Sequence, residues 1–202
     1  ATWEYLHPFL ENDRYGLVGD DGAGDIESLR DGHVGVEPMK LPAYDEAVLE
    51  GVRGDAMEII AEIAPQQNQT LEMNVLRLPD SREFTRILCM RGRGYRPWGG
   101  RMPRVVSIDT SYSSVSSAVR TRPPETAQVE LANDEPLRLH VFIDRSIVEV
   151  FVNGRQCVAA RVYPERKDSL GVSLRALRRE ARLKSLDAWG MKDVYGLSLI
   201  HI

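Results

Sequence analysis

The chain reads IVEVFVNGRQCVAARV from Ile147 to Val162, two strand-like runs joined by an Asn-Gly pair. β-Branched and aromatic side chains dominate the first run, and such residues favour strands. Asn153 and Gly154 tolerate the two positive φ angles that a type I′ turn needs, and that turn twists in the same sense as the strands it connects. The stretch therefore predicts a tight antiparallel hairpin.

The same short strand pattern recurs on both sides of the hairpin. Turn residues such as Pro79-Asp80 and Asn133-Asp134 separate further strand-like runs at 56–63, 71–75, 82–90, 105–110, 127–131, 137–144, 169–174 and 181–186. Strands at intervals of about 8–12 residues are typical of sandwiches and barrels. No helical stripe of useful length interrupts them. The predicted fold class is all-β, a two-sheet antiparallel β-sandwich.

Composition excludes several functional classes. The chain has 202 residues, a net charge of −4 and a pI of about 5.7. Nucleic-acid-binding domains usually carry a basic excess, so a nucleic-acid partner is not expected. No apolar run is long enough for a membrane span. Cys89 and Cys157 lie in strand-like runs without metal-ligand spacing, so we expect buried free thiols, no metal and no cofactor.

The first 33 residues differ from the rest. They are rich in Gly and Asp and show weak periodicity, whereas the β pattern continues from residue 34 to about residue 192. The last residues, 193–202, contain an apolar run that fits no predicted strand. The sequence therefore predicts three parts: residues 1–33, a sandwich over 34–192, and a tail over 193–202 that is either native or foreign to the protein.

A spaced motif connects the hairpin to a known family. The pattern Asp-x-Ser-x-x-Glu-x-Phe-x-Asn-Gly is formed by Asp144, Ser146, Glu149, Phe151, Asn153 and Gly154. Arg122-Pro123-Pro124 precedes this motif and Leu186-Asp187-Ala188-Trp189 follows it. Over roughly residues 26–192 the chain resembles the C-terminal β-sandwich of glycoside hydrolase family 32, which contains invertases, levanases and inulinases.

The resemblance implies a parent enzyme that releases terminal fructose from sucrose, levan or inulin. In that family two carboxylates on a five-bladed propeller perform the hydrolysis, in the settings Asn-Asp-Pro-Asn and Glu-Cys, with a third carboxylate in Arg-Asp-Pro. None of these settings occurs here. Residues 1–33 are too few for a propeller, so they are expected to be its truncated remnant and linker, left by a deletion or a misassembled reading frame. We therefore expect this chain to be inactive and to partner the parent's catalytic propeller.

The motif residues themselves suggest a structural role. In a strand, Ile147, Glu149 and Phe151 share one face, so the Glu149 carboxylate lies near a buried surface and needs partners. Asp144 and Ser146 suit a tight turn. Asp144 and Glu149 lie on different faces unless the chain bends sharply between them. A contact between these two carboxylates and the catalytic domain is the alternative to a purely structural role.

Two further possibilities remain open at this point. The chain could be a stand-alone carbohydrate-binding module for fructans, in which case exposed aromatics should cluster; Tyr95 and Trp98, in the Arg- and Gly-rich stretch 91–101, are the one such pair in the sequence. A sandwich face left without its propeller is also expected to support homo-oligomers. The compartment, cytoplasmic or secreted, is not indicated.

Overall fold

The structure, a computed structural model, describes residues 26–64, 70–91, 104–132 and 134–192. Their secondary structure is almost entirely extended, which confirms the predicted all-β sandwich. After a 3₁₀ turn at Ile26–Leu29, the strands are β1 (Arg30–Val36), β2 (Met39–Leu41), β3 (Glu46–Arg53), β4 (Ala56–Ile63), β5 (Thr70–Arg77), β6 (Thr85–Arg91), β7 (Arg104–Asp109), β8 (Glu125–Val129), β9 (Leu137–Asp144), β10 (Ile147–Val152), β11 (Gln156–Arg161), β12 (Gly171–Leu177) and β13 (Ala181–Met191).

The strands form two antiparallel sheets. The seven-stranded sheet has the order β1-β13-β4-β9-β10-β11, and β2 pairs with β13 beyond the end of β1. The six-stranded sheet has the order β3-β12-β5-β6-β7-β8. The chain crosses between the sheets repeatedly, for example from β2 to β3 and from β11 to β12. Each sheet therefore contains strands from separated parts of the chain, and the two sheets share one core.

That core lies between the sheets and follows the period-two pattern. On β10, Val148 and Val150 are fully buried and point inward, while Glu149 between them points outward. Ile87 and Met73 of the six-stranded sheet are equally buried and belong to the same cluster. Burial of apolar surface contributes about 25 cal/mol per Å², so these inward rows supply most of the fold's stability.

The hairpin predicted at Asn153-Gly154 is confirmed. The φ angles of Asn153 and Gly154 are 49° and 63°, and the Arg155 N–H donates to the Val152 carbonyl at 3.0 Å. Pairing of β10 with β11 begins with Val152 opposite Gln156, which leaves Arg155 outside the ladder. The Asn153 Oδ1 also accepts a 2.9 Å hydrogen bond from the Arg138 N–H, so its side chain ties the turn to β9.

Several strand limits differ from the predicted ones, for local reasons. Three strands, β1 to β3, have no individual prediction, because glycine and charged residues interrupt the apolar alternation of β1 and β3 and β2 has only three residues. Strand β6 begins at Thr85 rather than at residue 82, because Ser81 has a φ of 59° and Glu83 turns inward from a loop.

The predicted division of the chain remains a prediction. Strand β1 runs across the proposed boundary between residues 33 and 34, since Arg30 pairs with Met191 and Asp31 with Gly190 in the seven-stranded sheet. Residues 1–25 and the proposed tail, 193–202, lie outside the described residues, and so does most of the stretch 91–101 with Tyr95 and Trp98.

Candidate functional site

The spaced motif lies on β9, β10 and the turns at both ends of β10. Asp144 pairs with Ile147, so only Arg145 and Ser146 form the turn. Arg145 has a φ of 50°, and its N–H donates to the Asp55 carbonyl at 2.6 Å. This sharp reversal is the bend that the sequence left open, and it places Asp144 and Glu149 on the same face rather than on opposite faces.

That shared face points away from the core and is called the outer face of the seven-stranded sheet. Two cross-strand rows of side chains define it. The first row is Trp189, Glu58, Phe142, Glu149 and Ala159, and the second is Asp187, Ile60, His140, Phe151 and Cys157. Strands β13, β4, β9, β10 and β11 contribute one residue each to each row.

Aromatic contacts join the two rows. The His140 and Phe142 ring centroids are 4.4 Å apart, and Phe142 meets Phe151 edge-on at 6.0 Å. Phe151 is 6% exposed although it lies on an outward face, and Phe142 and Trp189 are half-buried. The face is thus an apolar band with charged groups set into it.

Glu58 is the fully compensated charge of this band. Its side chain is 0% exposed, and Arg30 donates to it through Nε at 2.7 Å and Nη2 at 2.8 Å. His140 Nε2 lies 2.6 Å from the same carboxylate. Burial opposes ionisation, but the bonds from Arg30 and His140 outweigh it and lower the pKa of Glu58 to about 2. The Arg30 guanidinium also stacks 4.3 Å over Trp189.

Glu149 lies in the same row and has no such compensation. It is half-buried, and no hydrogen bond or ion pair from another described residue reaches its carboxylate. Burial and the charge of Asp144 raise its pKa above the ordinary value of 4.5. Burial, together with Glu149, raises the pKa of the Cys157 thiol to about 11. The partners that the sequence argument requires for the Glu149 carboxylate are thus not supplied by any described residue.

The outer face of the six-stranded sheet is different, because its charges neutralise one another. Arg77 holds Glu46 through two bonds of 2.9 and 3.0 Å, and the pKa of Glu46 falls to about 2, chiefly because of that arginine. Arg86 lies 3.3 Å from Glu72. Arg175 lies 3.6 Å from both glutamates.

A buried carboxylate that the sequence did not single out fixes two loops. Glu83 is 0% exposed and accepts hydrogen bonds from the backbone N–H groups of Val115, Glu165 and Arg166 at 2.8, 3.0 and 3.2 Å, and from the Ser169 hydroxyl. Burial disfavours its charge, but these donors outweigh burial and hold the pKa of Glu83 below its ordinary value. This arrangement is structural.

Neither a metal centre nor a hydrolytic pair is evident in the described part of the chain. Its His, Cys, Asp and Glu side chains form no group of three or more that could hold a metal ion. Within residues 26–192, excluding the undescribed gaps, no helix is long and apolar enough to cross a membrane. Among the described residues, the outer face combines aromatic rings with the carboxylate of Glu149, which has no hydrogen-bond or ion-pair partner there.

Comparison with known proteins gives consistent results. The family model described as glycosyl hydrolases family 32 C terminal matches residues 25–190. The levanase of Bacillus subtilis is 29% identical over 85% of this chain, which covers 24% of that protein. The raffinose invertase of Escherichia coli is 45% identical over 30% of this chain, which covers 13% of that protein.

A solved structure shows the same fold. The fructan 1-exohydrolase IIa of Cichorium intybus superposes with a TM-score of 0.73 at 19% identity, over 83% of this chain and 37% of that chain. The described strands are therefore those of a domain that occurs within longer proteins. With a family model matched over residues 25–190, the chain belongs to glycosyl hydrolase family 32 and contains its C-terminal domain.

Proposed function

We propose that this chain is the structural C-terminal module of a hydrolase of terminal fructofuranosides, and that its outer face of the seven-stranded sheet packs against the parent's catalytic domain. The chain spans about a quarter or less of the curated relatives it matches. The remaining part of such a parent would carry the hydrolytic carboxylates. Sucrose, levan or inulin would then meet this module only through the parent enzyme.

The observation that carries this proposal is the contrast between the two outward faces. The seven-stranded sheet places Trp189 and Phe142 in one row with Glu149, which no described residue bonds. The charged groups of the six-stranded sheet are instead paired with one another, although Val48 and Tyr112 are exposed on that side. Apolar patches with aromatic residues and few free charges are typical of protein interfaces.

The position where the described chain begins supports the same face. Arg30 opens β1 at an edge of the seven-stranded sheet and extends over Trp189 to reach Glu58 on the outer face. In a parent with the catalytic domain ahead of the sandwich, that domain would be tethered beside the outer face. A short tether raises the effective concentration of the two surfaces and favours their contact.

The experiment is a titration of this chain against the catalytic part of the Bacillus subtilis levanase, by calorimetry. We expect binding by the wild type and loss of binding in Phe142→Asp, which places a charge in the apolar band. Val48→Asp is the matched control, because Val48 is 53% exposed on the outer face of the six-stranded sheet. Equal binding by Phe142→Asp and the wild type, with circular dichroism showing both folded, would contradict the proposal.

A second candidate function is supported by one aromatic stack. Tyr112 is 51% exposed, lies parallel to Phe84 at 5.3 Å, and has the Arg86 guanidinium 5.6 Å from its ring. An open ring face beside a guanidinium can hold a sugar, as a stand-alone fructan-binding module would require. Levan in affinity electrophoresis distinguishes the two functions: retardation of this chain that Tyr112→Ala abolishes would favour the binding module.

A further inference from the structure

We propose that Glu149 is the acceptor for a basic side chain, Arg or Lys, that the catalytic domain inserts into the outer face of the seven-stranded sheet. This inference rests on the proposed function and adds the chemistry by which the partner is recognised. It assigns to Glu149 a role that is separate from holding the sandwich together.

The first argument is the internal comparison within one row of side chains. Glu58 and Glu149 both lie opposite Phe142, one on each side of it. Glu58 is bonded by Arg30 and His140, while Glu149 is bonded by no described residue. A carboxylate that is partly removed from water without hydrogen bonds is costly, and buried polar groups normally have partners. A cation from a docked partner would bond the Glu149 carboxylate in the way that Arg30 bonds the Glu58 carboxylate.

The second argument concerns the charged and titratable groups around Glu149. Asp144 and His140 are its diagonal neighbours on β9, and Arg161 and Cys157 are its diagonal neighbours on β11. Asp144 adds negative charge on the same face, about 7 Å away at the β-carbons by sheet geometry. Arg161 is exposed and makes no ion pair with a described residue. The positive charge of Arg161 offsets part of the negative charge, but Asp144 and Glu149 together outnumber it, so these immediate surroundings remain net negative.

The third argument is the shape of the surroundings. Phe142 stands directly opposite Glu149 on β9, Ala159 stands opposite on β11, and Phe151 follows two residues later on the same face. The small Ala159 side chain leaves room above the carboxylate, and the half-buried Phe142 ring provides a surface on which a guanidinium can stack. Arginine combines carboxylate bonding with aromatic stacking better than lysine does. We therefore expect arginine as the inserted residue.

The first test uses the isolated full chain and two substitutions that meet across the strands. Glu149→Gln removes an uncompensated charge, so we expect a higher Tm at neutral pH. Ala159→Arg supplies a cation opposite Glu149, so it should raise Tm in the wild type and not in Glu149→Gln, with Ala159→Gln as the uncharged control. A lower Tm for Glu149→Gln, or an equal effect of Ala159→Arg in both backgrounds, would show that the carboxylate is already satisfied and would overturn the inference.

The second test repeats the titration against the levanase catalytic part. We expect Glu149→Gln to weaken binding at least about tenfold and to reduce its salt dependence, because buried interfacial charge pairs commonly contribute that much. A Glu149→Gln variant with a higher Tm and weaker binding would not be expected if Glu149 had a purely structural role.

The two proposals fail differently in this titration. Loss of binding in Phe142→Asp with unchanged binding in Glu149→Gln would refute this inference and leave the proposed docking face standing. Wild-type-like binding by Phe142→Asp, or no binding by the wild type, would refute the docking face and with it this inference.

Discussion

Glu58 and Glu149 flank the same phenylalanine ring, and their surroundings shift their pKa values in opposite directions. Arg30 and His140 lower the pKa of Glu58 despite its burial, whereas burial and Asp144 raise the pKa of Glu149. The ionised form of Glu58 therefore stabilises the folded chain, and the ionised form of Glu149 destabilises it. The proposed docking would supply the partner that Glu149 lacks among the described residues.

Replacing Glu58 tests the first half of that contrast. Glu58→Gln leaves Arg30 and His140 without their carboxylate, so we expect a loss of about 3 kcal/mol in unfolding free energy at neutral pH, the usual scale for a broken buried ion pair. Glu62→Gln is the matched control, because Glu62 lies on the same strand and face but pairs with Lys184 near solvent. It should cost less than about 0.5 kcal/mol. Urea titrations at neutral pH measure both.

The same substitution should change how stability depends on pH. Since the pKa of folded Glu58 is about 2 and its ordinary value is 4.5, its contribution is complete above pH 4.5 and is lost as pH falls towards 2. Glu46 behaves in the same way and remains in the variant. Glu58→Gln should therefore lose less stability than the wild type across this window. An equal loss in both proteins would contradict the assigned role of Arg30 and His140.

Glu83 gives a prediction of a different kind, because its donors are mainly backbone groups. Glu83→Gln keeps the size but replaces one acceptor oxygen by an NH₂ group, which faces N–H donors of Val115 or Glu165. We expect a loss of about 2–3 kcal/mol, the scale for unsatisfied buried polar groups. Glu165→Gln, whose own side chain is exposed, should be close to neutral in the same thermal melts.

At the scale of the elements, the β10–β11 hairpin depends on two residues with positive φ. Gly154→Ala places a Cβ at a φ of 63°, so we expect a loss of about 1 kcal/mol. Gly35→Ala is the control, because the added Cβ would meet only ordinary contacts at 3.6 and 3.8 Å in a normal strand conformation. A Gly154→Ala variant as stable as the wild type in chemical denaturation would refute the type I′ assignment.

The hairpin also shows how much of the fold the sequence could predict. Its strands and turn follow from Asn153, Gly154 and the alternating residues around them, which act within a few positions of one another. Strand β4 was predicted with its observed limits for the same reason. Strands β1 and β3 were not predicted individually, because glycine and charged residues interrupt their apolar alternation.

The candidate site was only half predictable, for a related reason. The motif indicated Glu149 and its need for partners, because alternation along the strand places its side chain on the face away from Val148 and Val150. Glu58, Arg30 and His140 meet only because β1, β4 and β9 belong to one sheet. Local alternation of apolar and polar residues does not predict the order of strands in a sheet. The same limit applies to Glu83, whose donors lie more than 30 residues away in the chain.

At the scale of the whole molecule, the outer faces of the two sheets differ in chemistry. Most charged groups on the six-stranded sheet are paired, whereas the seven-stranded sheet carries an aromatic band. Among the described residues, no element packs over the face that carries Phe142 and Trp189. We expect concentration-dependent self-association through it in size-exclusion chromatography, suppressed by Phe142→Asp and unaffected by Val48→Asp. Elution as a monomer at every concentration would mean that the aromatic band does not attract a second copy.

The central claim is that this chain is an accessory module and does not hydrolyse fructosides by itself. Retaining hydrolysis of a fructosyl bond needs a nucleophilic carboxylate and a second carboxyl as acid/base, about 5 Å apart around one sugar. Asp144 and Glu149 are diagonal neighbours on one outward sheet face, and no described residue bonds either carboxylate to set it up as nucleophile or acid. The direct measurement is fructose release from sucrose, levan and inulin by the purified chain. The account predicts no release above a buffer blank; release that Glu149→Gln abolishes would contradict it.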